Sequence, residues 1–141
     1  MKKVIGIRYE DKYVMERRVP LVPQHLKRLI KDEGIEIFVE TSAKRVFSDE
    51  EFEKIGAHVT DDLSNCPVIF GVKEVPIPLL EPEKTYIFFA HVIKGQPHNM
   101  PMLRKLMELK CNLIDYERVV DELGRRLIFF GRYAGLAGMI N

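Results

Sequence analysis

Tyr86-Ile87-Phe88-Phe89-Ala90-His91 is a short aromatic and β-branched run closed by a titratable side chain, and the chain repeats that arrangement three more times. Val4-Ile5-Gly6-Ile7 ends at Arg8, Val68-Ile69-Phe70-Gly71-Val72 ends at Lys73-Glu74, and Leu113-Ile114-Asp115-Tyr116 ends at Glu117. Apolar runs of this length, separated by helical patterns, read as buried strands of a parallel sheet. In an open α/β sheet, ligands bind beyond the carboxyl ends of the strands. A lysine, a histidine and two glutamates gathered on that edge make an acid–base site. Strand ends are also polar because loops are wet, so no single position points to a site; the set of four points to one more strongly.

Between these runs the helices are well marked. Leu26, Leu29 and Ile30 fall at i, i+3, i+4, with Pro23 near the start and Gly34 just past the end. Glu36 to Val39 reads as a strand. Ser48-x-x-Glu51 is a capping box, Phe47 is placed to staple onto Phe52, Ile55 continues the apolar face and Gly56 closes the helix. The acidic run from Ser48 to Glu53 suits a helix start and needs no function. Residues 9–19 are charged and form a loop. Pro76, Pro78 and Pro82 force an extended connection. Leu103, Leu106 and Met107 mark a further helix, with Met100, Met102 and Met107 as core filler. The order β-α-β-α-β-β-α-β, followed by Leu127-Ile128-Phe129-Phe130, predicts an α/β fold: a doubly wound, mostly parallel sheet flanked by helices, Rossmann- or flavodoxin-like, with right-handed crossovers.

Composition narrows the function classes. The chain has 141 residues, 46% apolar and 30% charged, a globular profile with enough length for one real core. Lys+Arg at 22 against Asp+Glu at 21 leaves a net charge of +1, which gives no reason to expect nucleic acid or an anionic membrane. No apolar stretch approaches the about 20 residues of a membrane span. Met1 to Ile7 does not read as a signal peptide, and the expected address is cytoplasmic. Cys66 and Cys111 read as reduced packing residues. His25, His58 and His98 are expected at the surface and Arg17 in water, with no metal-ligand spacing anywhere.

Three segments are recognisable. Phe89-Ala90-His91-Val92-Ile93-Lys94-Gly95-Gln96-Pro97-His98-Asn99-Met100, then Leu113 to Glu117, then Phe130-Gly131-Arg132-Tyr133-Ala134-Gly135-Leu136-Ala137-Gly138-Met139-Ile140-Asn141 closely resemble the lysine–ketoglutarate reductase branch of the saccharopine dehydrogenases. The opening, Ile5-Gly6-Ile7-Arg8-x-Glu10 with Glu16-Arg17-Arg18-Val19-Pro20-Leu21-Val22-Pro23, resembles the wider group that includes alanine dehydrogenase and the proton-translocating transhydrogenases. The resemblance implies a substrate domain working across a cleft from a dinucleotide-binding domain. The implied reaction joins lysine to 2-oxoglutarate as an imine and reduces it to saccharopine, or runs in reverse. By motif position it implies Lys73 and His91 as the acid–base pair, Arg18 as holder of a substrate carboxylate, and Glu74, Lys94 and Glu117 close by. Val22 stands where the family often has a threonine helix cap.

The chemistry suits those residue types. Imine formation moves protons on and off nitrogen and oxygen several times, which a histidine titrating near neutrality can do. A lysine in a shifted environment can share the work, with Glu74 and Glu117 keeping it from being driven neutral. An arginine fork matches a carboxylate.

No Gly-x-Gly-x-x-Gly occurs, and Gly131, Gly135 and Gly138 have the wrong spacing. NADPH or NADH is therefore expected on a separate or downstream domain, with none bound here, and the 141 residues alone are expected to fold without turning over. Residues 1–131 are expected to be the substrate domain, and 132–141 the start of a helix leading to the nucleotide-binding domain. That helix carries small residues on one face and lacks a C-cap, so Asn141 reads as a cut, and a homo-oligomer is possible. Two other readings stay open: an alanine dehydrogenase-like domain acting on pyruvate and ammonia, and a stand-alone amino-acid-binding or regulatory module.

Overall fold

The computed structural model describes residues 2–129, Gly131 and Met139. Strands β1 (Val4–Ile7), β2 (Glu36–Glu40), β3 (His58–Thr60), β4 (Val68–Phe70), β5 (Thr85–Phe88) and β6 (Asn112–Asp115) form one sheet in the order β3-β2-β1-β4-β5-β6. All five pairings are parallel. This is the doubly wound order that reverses between the first and fourth strands, as the alternation of runs predicts.

Helices α1 (Pro23–Glu33) and α2 (Asp49–Lys54) cover one face, packing Leu26 and Phe52 against Ile7, Ile37 and Val39. Helix α3 (Met100–Glu108) covers the other, packing Met102 and Leu106 against Ile69, Tyr86 and Phe88. The alternation along β2 explains both cores: Ile37 and Val39 face α1 and Phe38 faces the other side. Burying one such side chain contributes about 2 kcal/mol.

The local signals act as read. The Ser48 capping box forms in both directions, and Phe47 meets Phe52 edge-on at 6.5 Å. Gly34 closes α1 at φ 65°, a left-handed conformation that glycine adopts without steric cost. Val22 sits at the N-cap of α1 and, having no side-chain acceptor, makes no cap bond.

Several expectations need correction. Strand β3 is not among the predicted elements, because three residues with His58 exposed at the sheet edge carry no period. The proline-rich connection is not wholly extended: Ile77–Leu79 forms one 3-10 turn, which Pro78 tolerates near a helix start. Strand β4 stops at Phe70 and β5 at Phe88, and Tyr116 belongs to a 3-10 turn, Tyr116–Arg118, rather than to β6. Met107 is 71% exposed and fills no core. The helix expected from residue 132 lies outside the described residues.

Candidate active site

The strand order reverses between β1 and β4, so the loops leaving their carboxyl ends diverge and open a crevice. The ladder runs slightly past both strands, with Arg8 N–H donating to Phe70 O at 3.1 Å and Phe89 N–H to Val72 O at 3.0 Å. Into this crevice Glu10, only 3% exposed, brings a carboxylate. Its Oε1 accepts from the backbone N–H of Val72 at 2.8 Å and of Lys73 at 2.6 Å. Burial pushes the Glu10 carboxyl above its ordinary range, while those donors and Arg8 pull it back only in part. Arg8 reaches Asp11 at 2.8 Å and Glu10 Oε2 at 3.7 Å. Gly71 lies close against them: a Cβ there would stand 3.3 Å from Arg8 Cδ and 3.4 Å from Glu10 Oε2. Across the sheet end the Tyr116 hydroxyl donates to Gly71 O at 2.9 Å, and burial raises its pKa, keeping the proton on.

The expected site residues fall on this edge, unevenly joined. Lys73, half-buried, leaves β4 with its ammonium 6.0 Å from the Tyr13 ring, over which Lys12 also sits at 5.5 Å. Glu74 is buried, and its ion pair is with Lys12 (2.7 Å) rather than with Lys73. Burial raises the Glu74 carboxyl, but Lys12, its own backbone N–H and Asn99 outweigh that and leave it below its ordinary range. His91 follows β5 with φ 53°, an uncommon conformation for a residue with a Cβ. Its Nδ1 lies 2.9 Å from Glu117 Oε1. Glu117 is held in turn by its N–H donating to Asp115 Oδ1 at 3.0 Å.

Arg18 forks onto Glu16, Nε and one terminal nitrogen each at 2.7 Å. That fork holds the Glu16 carboxyl below its ordinary range against burial, and the charge of Lys73 adds to it. Arg18 thus reaches the site through Glu16. Lys94 is exposed on the loop after β5, and among the described residues it forms no ion pair with the other five. His25, His58, His98 and Arg17 are exposed as expected, and Cys66 and Cys111 are free thiols packed at the sheet.

Three residues without an assigned role complete the network. Glu10 anchors Lys73, Lys12 pairs with Glu74, and Asn99 donates from Nδ2 to Glu74 Oε1 (3.1 Å), Ala90 O (2.8 Å) and His91 O (3.4 Å). The motif positions of Glu10 and Asn99 are the only sequence signal for them. Their partners lie 63 and 25 residues away.

Beside these polar groups an apolar cavity of about 500 Å3 opens between Arg18, Leu21, Phe47, Val72, Phe89 and Tyr116. Arg18 and Tyr116 stand on its wall, offering room for methylenes next to polar groups. With His91 Nδ1 committed to Glu117, the other ring nitrogen can pass protons. The crevice does not fit a dinucleotide. Its first loop, residues 8–22, has no glycine to admit a pyrophosphate, and it is lined by the carboxylates of Glu10, Asp11 and Glu16. Among the described residues no group of His, Cys, Asp or Glu is placed to hold a metal ion, and no helix is long and apolar enough to cross a membrane.

A family model described as the alanine dehydrogenase/PNT N-terminal domain matches residues 6–137, and the chain belongs to that family. An alpha-aminoadipic semialdehyde synthase of Arabidopsis thaliana is 43% identical over 143 residues, covering 98% of this chain and 13% of that protein. A mitochondrial alpha-aminoadipic semialdehyde synthase of Bos taurus is 42% identical over 140 residues, covering 99% and 15%. A saccharopine dehydrogenase (NAD(+), L-lysine-forming) of Candida albicans is 35% identical over 144 residues, covering 96% and 36%. An L-alanine dehydrogenase structure shares the fold at a TM-score of 0.71 and 22% identity, covering 86% of this chain and 34% of that one. The chain therefore spans a small part, 13 to 36%, of these curated relatives.

Proposed function

We propose that this member of the alanine dehydrogenase/PNT N-terminal domain family is the substrate domain of an oxidoreductase. The reaction condenses the lysine ε-amine with the keto carbon of 2-oxoglutarate and reduces the imine to saccharopine, or runs in reverse. The observation that carries the reading is the His91–Glu117 pair, on the same sheet edge as Lys73, an arginine and an apolar cavity. Two relatives named alpha-aminoadipic semialdehyde synthase and one named saccharopine dehydrogenase (NAD(+), L-lysine-forming), 35 to 43% identical, support it.

In this reading the amine attacks the keto carbon, the carbinolamine oxygen takes a proton and leaves as water, and a C=N bond results. His91, with Nδ1 fixed on Glu117, carries protons on Nε2, and Lys73 serves the other side of the reacting carbon. Arg18 holds a carboxylate by exchanging its fork from Glu16, with Glu74, Lys94 and Glu117 around the substrates. NADPH or NADH would supply the hydride, held by a downstream or separate domain, because these residues do not fit a dinucleotide. Residues 1–131 are the substrate domain and 132–141 lead onward; the cytoplasm is the proposed compartment, and a homo-oligomer the possible assembly.

The test is made on the polypeptide as it occurs in its source cells, supplied with lysine, 2-oxoglutarate and either dinucleotide. Saccharopine detected by mass spectrometry, lost in His91→Ala and Lys73→Met, supports the reading. Turnover of pyruvate and ammonia instead, or amino-acid binding that survives His91→Ala with no turnover, overturns it.

A further inference from the structure

Asn99 ends a 3-10 turn, Pro97–Asn99, and occupies the N-cap position of α3, where asparagine ordinarily accepts a backbone N–H. Here it makes no cap bond. The side chain, 7% exposed, is turned inward instead. Its amide NH2 donates to Glu74 Oε1 at 3.1 Å and to Ala90 O at 2.8 Å, with His91 O a longer third acceptor at 3.4 Å. Those two carbonyls belong to the peptides on either side of His91, the residue held at φ 53°. A left-handed conformation at a residue with a Cβ persists where surrounding contacts fix it. Glu74 in turn holds Lys12 on its second oxygen and directly follows Lys73.

We propose that Asn99 is a positioning residue: one neutral amide ties the Glu74 carboxylate to the backbone of His91 and so fixes the spacing of the two proton-carrying loops. The residue type matters. The amide offers two hydrogens without a charge, and both go to acceptors. An aspartate of the same shape would face the Glu74 carboxylate and two carbonyls with no donor. A serine keeps a single hydrogen. The inference rests on the reading of Lys73 and His91 given above, but the tie itself can be tested without it.

The experiment uses the full-length enzyme with Asn99→Ala, Asn99→Asp and Asn99→Ser. The expected result is a fall in kcat of about 100-fold for the first two, with KM for lysine and 2-oxoglutarate changed less than about threefold. Asn99→Ser gives an intermediate loss, and carries the test if the other two do not fold. The acidic limb of kcat/KM moves to higher pH, since Glu74 loses a donor that favours its charged form. The groups facing Glu74 are Lys12 from the β1 loop and Asn99 from the 3-10 turn, with Lys73 and His91 on the flanking strand ends. A merely structural asparagine would lower the folded fraction and leave kcat per folded molecule and the limb in place. That result, in a parent that makes saccharopine, overturns the proposal. A parent that makes no saccharopine overturns the functional reading instead. Hydrogen exchange over Phe89 to Gly95 of the same full chain then decides on Asn99: faster exchange in Asn99→Ala supports the tie, and unchanged exchange refutes it.

Discussion

Removing the Glu10 carboxylate strips two backbone donors of their acceptor at once. In Glu10→Ala the Val72 N–H, buried, has no water to turn to, and an orphaned buried donor costs about 2 kcal/mol. The Lys73 N–H is half-buried, so water recovers part of its bond and the cost is about 1 kcal/mol. Arg8 loses its 3.7 Å partner but keeps Asp11 at 2.8 Å, a further loss of about 1 kcal/mol. Against this, the cost of burying the carboxylate, visible in its raised pKa, is relieved and offsets part of these losses. The net expectation is about 3 kcal/mol of destabilisation, a large share of the about 5–15 kcal/mol that holds an ordinary domain. With a urea slope of about 2 kcal/mol/M, the midpoint falls by about 1.5 M. Glu10→Gln keeps an acceptor oxygen for both donors and loses only about 1 kcal/mol. The pH dependence has a defined sign. A carboxyl raised in the folded state stabilises most below its ordinary range, and that contribution is lost as pH rises through the raised value. The margin of the parent over Glu10→Gln should therefore narrow as pH rises. Urea denaturation across the acid range reads both effects. An alanine variant within about 0.5 kcal/mol of the parent, or no better resolved from it than the glutamine variant, refutes the reasoning.

Gly71→Ala should destabilise by about 1–2 kcal/mol in thermal unfolding, because the new Cβ meets Arg8 and Glu10 at 3.3–3.4 Å and both are fixed by ion pairs; an unchanged melting temperature contradicts the close approach. On the proposed reading, Glu117→Ala frees His91 Nδ1 and should lower kcat for saccharopine formation about 100-fold with little change in binding, as steady-state kinetics will read; less than a threefold loss removes Glu117 from the proposed mechanism. Glu74 and Glu16 lie below their ordinary range, so the stability they add is present above that range and lost as pH falls through their lowered values. Lys12→Met should therefore flatten the acid limb of a stability–pH curve by taking one partner from Glu74, and an identical limb would show the pair contributes nothing.

The sequence by itself determined the sheet. Runs such as Val4–Ile7 and Tyr86–Phe88 have no amphipathic helical period, and β-branched and aromatic residues buried on both faces suit a parallel sheet with helices on both sides. The ends of α1 and α2 were equally legible, since Gly34 and the Ser48 box act within five residues of themselves. Strand β3 was not, because three edge residues leave no periodic signal, and Met107 misled because one apolar residue on a short helix fits either face. The candidate site divides the same way. That Lys73, His91 and Glu117 stand at strand ends follows from where the apolar runs stop. Which of them touch follows only from the strand order, because hydrogen bonds act over about 3 Å while the partners lie 25 to 63 residues apart in sequence. Only the tertiary structure gives Glu74 to Lys12, Glu117 to His91, and Asn99 to the backbone between them.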